Sequence, residues 1–113
     1  MPKNSAANNL PRKVKTELEI MGEQIKLARK RRNISLKVMS QRAQCAELTV
    51  LRAERGTPTV SIGVYARILF GLGLDEDLTL IAKKDTPGNN LINARILSKN
   101  DKNQPEDILH DYD

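Results

Sequence analysis

Apolar residues recur at helical spacing through the middle of the chain. Leu18, Met21, Ile25 and Ala28 follow one another at intervals of three and four, which is one face of a helix. Thr16 is placed to cap that helix, and Glu19 three residues on completes a capping box. Arg29-Lys30-Arg31-Arg32 closes it with cations suited to the negative end of the helix dipole, and Asn33 stops it. Ser35 is the expected cap of a second helix, Leu36 to Ala43, with Met39 and Ala43 inward. After a break at Gln44-Cys45, a third helix is predicted from Ala46 or Glu47 to Arg55. Val50 and Ala53 face inward, and Gly56 ends it.

Thr57-Pro58-Thr59 leads to Ser61, the expected cap of a fourth helix carrying Ile62, Tyr65, Ile68, Leu69 and Leu72 inward and closing at Gly71 to Gly73. Asp75 is the expected cap of a short fifth helix whose apolar positions are Leu78, Leu80 and Ile81. The pattern is absent from both ends. Residues 1–15, rich in Asn, Pro and Lys, read as a flexible basic arm. From Asp85 on, Pro87, Gly88 and paired Asn read as a linker into a flexible acidic tail, 85–113. Leu91-Ile92 and Ile96-Leu97 are short apolar clusters within it. The reading is all-α: one five-helix domain over residues 16–84 between two tails.

Charge sharpens this picture. Residues 1–84 hold sixteen basic and eight acidic residues, a net of +8, whereas 85–113 hold three and six, a net of −3. A basic body points to a polyanionic partner. Aromatic residues make up only 3%, too few for a base-stacking platform. One cysteine and one histidine, Cys45 and His110, complete neither a disulfide nor a Cys/His zinc site, and leave no Ser-His-Asp or Cys-His relay. No enzyme, metal or other cofactor is therefore expected. No apolar run approaches the roughly 20 residues of a membrane span, and no signal-peptide core is visible, so a cytoplasmic protein without a membrane partner is expected. Cys45 is expected to be a buried structural thiol.

Two short helices separated by about three residues, the second amphipathic and sized for the major groove, form a helix-turn-helix pattern. The string Ile34-Ser35-Leu36, Met39-Ser40-Gln41-Arg42-Ala43, Val50, Glu54-Arg55-Gly56, Ser61-Ile62 and Leu72-Gly73 resembles the Cro/C1-type (XRE) helix-turn-helix family over residues 18–83. That resemblance implies a lambda-repressor-like fold and operator DNA as partner. The run from Glu54 to Leu74, continuing to Ala82, is similar to HipB-type antitoxins. It implies a homodimeric repressor that controls its own operon and sequesters a HipA-like serine/threonine kinase toxin.

Matching positions imply residue roles. On the third helix Glu47, Leu48, Thr49 and Arg52 face the groove: Arg52 suits guanine O6/N7, Glu47 cytosine N4, and Leu48 and Thr49 thymine methyls. Ser35, Lys37, Arg42, Arg55, Thr57 and Arg32 are phosphate candidates. Arg29 and Glu54 occupy positions that pair in the family, implying a structural ion pair. The chain departs from the family at Leu36, where glutamine is usual, and at Gln44, where the turn has glycine. Ala46-Glu47 replaces the usual polar start of the recognition helix, and Val38 and Leu51 are apolar where polar residues are common. These departures favour weaker or differently specific DNA binding. They keep open a protein-interaction module that mainly holds a kinase, and the resemblance also keeps open a solitary regulator with no toxin.

Overall fold

The computed structural model describes residues 5–98, all helical or loop with no strand among them. The chain divides at Leu78/Thr79 into two units, and each is described by itself. In the first, a single turn, α1 (Ser5–Asn8), precedes the long α2 (Arg12–Arg31). Then come α3 (Leu36–Ala43), α4 (Glu47–Glu54) and α5 (Ile62–Leu72), followed by a 3-10 helix, Asp75–Leu80, that runs across the division. The second unit holds α6 (Thr86–Ser98).

The expected serine caps of α3 and α5 are both formed. Ser35 Oγ accepts from the Val38 amide at 3.1 Å, and Ser61 Oγ accepts from the Val64 amide at 3.2 Å. Gly73, at φ 78°, ends α5 in the left-handed conformation that glycine adopts without strain. Gln44 takes the same conformation, φ 54°, after α3. A side chain there costs on the order of 1 kcal/mol that glycine would not.

The start of α2 differs from the sequence expectation. The helix begins at Arg12, behind Pro11, four residues before Thr16. Proline cannot continue a helix backwards, so it marks the boundary. Thr16 lies inside the first turns and its hydroxyl donates to the Arg12 carbonyl oxygen at 3.1 Å. The Thr16/Glu19 capping box is therefore not formed, and residues 5–15 contain one helical turn and the head of α2 where a flexible arm was expected. Residues 1–4 lie outside the described residues.

Within the expected linker and flexible tail, residues 86–98 form a helix. Asp85 Oδ1 accepts from the Gly88 amide at 3.0 Å, and the Asp85 carbonyl oxygen accepts from Asn89 at 2.9 Å. Pro87 falls in the first turn, where a missing N–H leaves no helical bond unmade. Asp-Thr-Pro-Gly thus reads as a cap and a helix start. Residues 99–113, the rest of the expected tail, lie outside the described residues.

The core of the first unit is Ile25, Ala28, Ile34, Met39, Ala43, Val50, Ala53, Tyr65, Ile68 and Leu72, with Met39, Val50 and Ile68 fully buried. One expected inward position is not inward. Ile62 is 70% exposed, because it lies roughly 80° round α5 from the direction shared by Tyr65, Ile68 and Leu72. In the second unit Leu80 and Ile81, apolar positions of the expected fifth helix, are both exposed.

Arg29 on α2 and Glu54 at the end of α4 are joined inside this unit. Arg29 Nε donates to Glu54 Oε2 at 2.6 Å and Nη2 to Oε1 at 3.1 Å, a two-pronged ion pair with both residues buried. Arg29 Nη1 donates to the Ile34 carbonyl oxygen at 2.8 Å. Close by, α2 approaches the end of α4 through glycine. A methyl group on Gly22 would stand 2.6 Å from the Glu54 carbonyl oxygen and 2.6 Å from the Gly56 amide nitrogen. Gly56, at φ 74°, lies directly against the Leu18 carbonyl.

Removing one charge of this pair strands the other in the interior, so Arg29→Met or Glu54→Gln should each cost about 3–5 kcal/mol in urea unfolding. The double variant should recover a large part of the summed loss; strict additivity would show two independent charges. Gly22→Ala should cost at least 1–3 kcal/mol by overpacking, read as a fall in the urea midpoint at unchanged slope.

Candidate nucleic-acid interface

α3, the turn at 44–46 and α4 form a helix-turn-helix unit, packed on α5 and α2 through Met39, Ala43, Val50 and Ala53. Glu54 completes the buried side of α4, and the opposite arc carries Glu47, Leu48, Arg52 and, at the helix end, Arg55. Leu48 is 51% exposed, a large apolar side chain presented to solvent on a short helix. Thr49 and Leu51 border this arc and are half-buried. Of the four residues expected to meet bases, Glu47, Leu48 and Arg52 are exposed on this eight-residue helix and Thr49 is half-buried at the edge of the arc.

The phosphate candidates are less uniform. Ser35 and Lys37 are exposed at the start of α3, where the Ser35 hydroxyl already accepts from the Val38 amide. Arg55 is exposed at the end of α4. Arg42, though exposed, donates through Nη1 to the Gly71 carbonyl oxygen at 2.9 Å, closing the C-terminal end of α5. Arg32 turns back on its own helix and donates to the Ala28 carbonyl oxygen at 2.9 Å. Thr57 is half-buried; its amide donates to the Arg52 carbonyl oxygen at 3.0 Å and its own carbonyl oxygen accepts from Tyr65 Oη at 3.0 Å. The structure therefore presents Ser35, Lys37 and Arg55 openly and ties Arg42, Arg32 and Thr57 into the framework.

Burial pushes the Tyr65 phenol above its ordinary value, consistent with a structural donor, and it raises the Cys45 thiol. Cys45 is half-buried against the core in the helix-turn-helix turn, less enclosed than expected.

Two cations outside the expected site, Lys15 and Arg12, border Arg55 or its neighbouring hollow. Lys15, with Asn8 and Glu19, lines a cleft of about 310 Å³ whose other wall is Arg55, Gly56, Thr57 and Pro58. Arg12, Lys15, Thr16 and Glu19 line a neighbouring hollow of about 260 Å³. Composition alone places both in a flexible arm. Pro11 as a helix boundary was the signal that would have placed them on α2 instead.

Among the described residues no three His, Cys, Asp or Glu side chains gather as a metal site, and no helix is long and apolar enough to cross a membrane. Comparison with curated proteins and with solved structures found no match. A family model described as a helix-turn-helix domain matches residues 20–80, more than half of the chain, and spans all of α3, α4 and α5 with most of α2. The chain belongs to this helix-turn-helix domain family, a DNA-binding class.

Proposed function

We propose that the protein is a sequence-specific operator-binding repressor that acts as a homodimer in the cytoplasm. The observation that carries this reading is the accessible side of α4, which exposes Glu47, Leu48 and Arg52 with Thr49 at its edge, on a helix joined to α2 by the Arg29–Glu54 pair. An eight-residue helix spans about 12 Å and reads only a few base pairs, so specificity requires two such helices on half-sites about one helical turn apart. Lys37 and Arg55 at the two ends of the unit supply phosphate contacts that fix its register. The protein works by binding and carries out no chemistry of its own.

We further propose that it is an antitoxin of the HipB type, repressing its operon and holding a HipA-like serine/threonine kinase. The support is the run from Glu54 to Ala82, which resembles those antitoxins. The rival of another class, a module that mainly holds the kinase and binds DNA weakly, is favoured by one feature. Leu48 and Val38 are both exposed on the helix-turn-helix, at 51% and 37%. Affinity capture from native lysate, with and without nuclease, separates the readings. A kinase retained after nuclease treatment, together with nuclease-sensitive operator DNA, supports the antitoxin. Kinase without operator DNA supports the module, and operator DNA without kinase supports a solitary regulator.

Arg52→Ala should weaken binding to the cognate operator by about 1–3 kcal/mol in a gel-shift titration and leave random DNA almost unaffected. Lys37→Ala or Arg55→Ala should instead weaken both DNAs alike. Each should also flatten the slope of log K against log salt by about 0.9. An equal loss on both DNAs for Arg52→Ala would make Arg52 a phosphate contact and move specificity to Glu47, Leu48, Thr49 or DNA shape.

A further inference from the structure

The chain's single phenylalanine is not in its core. Phe70 is 72% exposed on α5, and Ile62, two turns earlier on the same side, is 70% exposed. Ala66 lies midway between them, with Gly63 beside it, so Ile62, Ala66 and Phe70 form a stripe at i, i+4 and i+8. α5 buries its other side, Tyr65, Ile68 and Leu72, in the core of the same unit. A large exposed aromatic and an isoleucine at matched distances from a small centre are a costly arrangement for a surface in contact with water.

We infer that this stripe of α5 is the contact surface for a second copy of the chain, packed antiparallel about a two-fold axis at Ala66. The stripe is self-complementary. Ile62 and Phe70 each lie about 6 Å along the helix from Ala66, so the two-fold sets Ile62 of each copy against Phe70 of the other. Ala66 and Gly63 present little side chain at the centre, which lets the two helices approach closely. Nothing stands in the way at Gly63, where an added methyl group would have only Ser61 Oγ nearby, at 3.9 Å. The two-fold brings the Arg67 side chains of both copies to the same side of the contact, where water and salt screen them.

The surface is of modest size. Two Phe70 side chains contribute on the order of 300 Å² of apolar surface. A standard interface buries about 1,200–2,000 Å² in total, so a contact based on one helix from each copy makes a weak dimer that operator DNA completes. The choice of a second copy as occupant rests on the operator-binding reading, which requires two recognition helices.

The test uses the full chain. Ala66→Cys in a Cys45→Ala background should form a covalent dimer under mild oxidation, since a disulfide needs α-carbons within about 4.4–6.8 Å of each other. Ile62→Asp with Phe70→Asp should shift the chain to monomer in sedimentation equilibrium and abolish the cross-link. The helical circular dichroism should be unchanged, because both side chains are exposed in the monomer. Failure of Ala66→Cys to cross-link overturns the inference, as does self-association undiminished in the double aspartate variant. It is equally overturned if the stripe is covered by the chain's own residues 79–113 or by another protein, both of which leave Ala66→Cys uncross-linked. DNA binding is read separately by gel shift. A cross-linking chain that binds no operator refutes the repressor reading and leaves the surface in place.

Discussion

A guanidinium and a carboxylate buried together, Arg29 and Glu54, hold α4 to α2. Either charge alone would be intolerable in that interior, so the pair commits both helices to one relative position. The third prong of Arg29, on the Ile34 carbonyl oxygen, draws in the loop that leads into α3. One side chain therefore fixes the segments on both sides of the helix-turn-helix. Replacing the pair by apolar residues of similar volume need not weaken the fold, but it would remove the directional bonds that define where α4 ends.

Close backbone approach makes that geometry possible. Gly22 lets α2 touch the last carbonyl of α4, and Gly56 turns the chain away at a left-handed φ against the Leu18 carbonyl. With α4 pinned from behind at its end, its free side is determined: Val50, Ala53 and Glu54 are inside, and Glu47, Leu48 and Arg52 are outside. A reading surface on so short a helix is useful only if its orientation does not fluctuate, because misplacement of a bidentate arginine loses the geometric match to a base edge.

The basic residues divide into two kinds of work. Arg32 and Arg42 each spend a hydrogen bond on a carbonyl oxygen at a helix end, which is negative and lacks an intrahelical partner, and Arg29 spends one on the Ile34 carbonyl oxygen in the loop before α3. Lys37, Arg52 and Arg55 are left facing solvent around α3 and α4. Net charge does not distinguish these groups. Of the first group only Arg29 is buried and withdrawn from a polyanion; Arg32 and Arg42 are exposed and keep their charge and their remaining N–H groups, but each side chain is held in place by its carbonyl bond.

Local signals determined much of this protein. The serine caps at Ser35 and Ser61, the stop at Gly73 and the inward sets of α3 and α4 depend on a few neighbouring residues, and these are legible in sequence. Arg29 and Glu54 were brought together by resemblance alone, since nothing in their spacing reveals a partner 25 residues away; the structure places them 2.6 Å apart. Composition misled at both ends. Pro11 and the Asp-Thr-Pro-Gly run look like loop residues, yet each starts a helix, because proline is excluded from helix interiors and tolerated in first turns. Which cations face outward and which close helix ends was decided by tertiary structure, as was the exposure of Ile62 and Phe70. Periodicity tells that α5 has an apolar side but not how wide that side is. The width is set by the neighbours that happen to cover it: here Tyr65, Ile68 and Leu72 are buried, Val64 and Leu69 are half-covered, and Ile62 and Phe70 are left exposed.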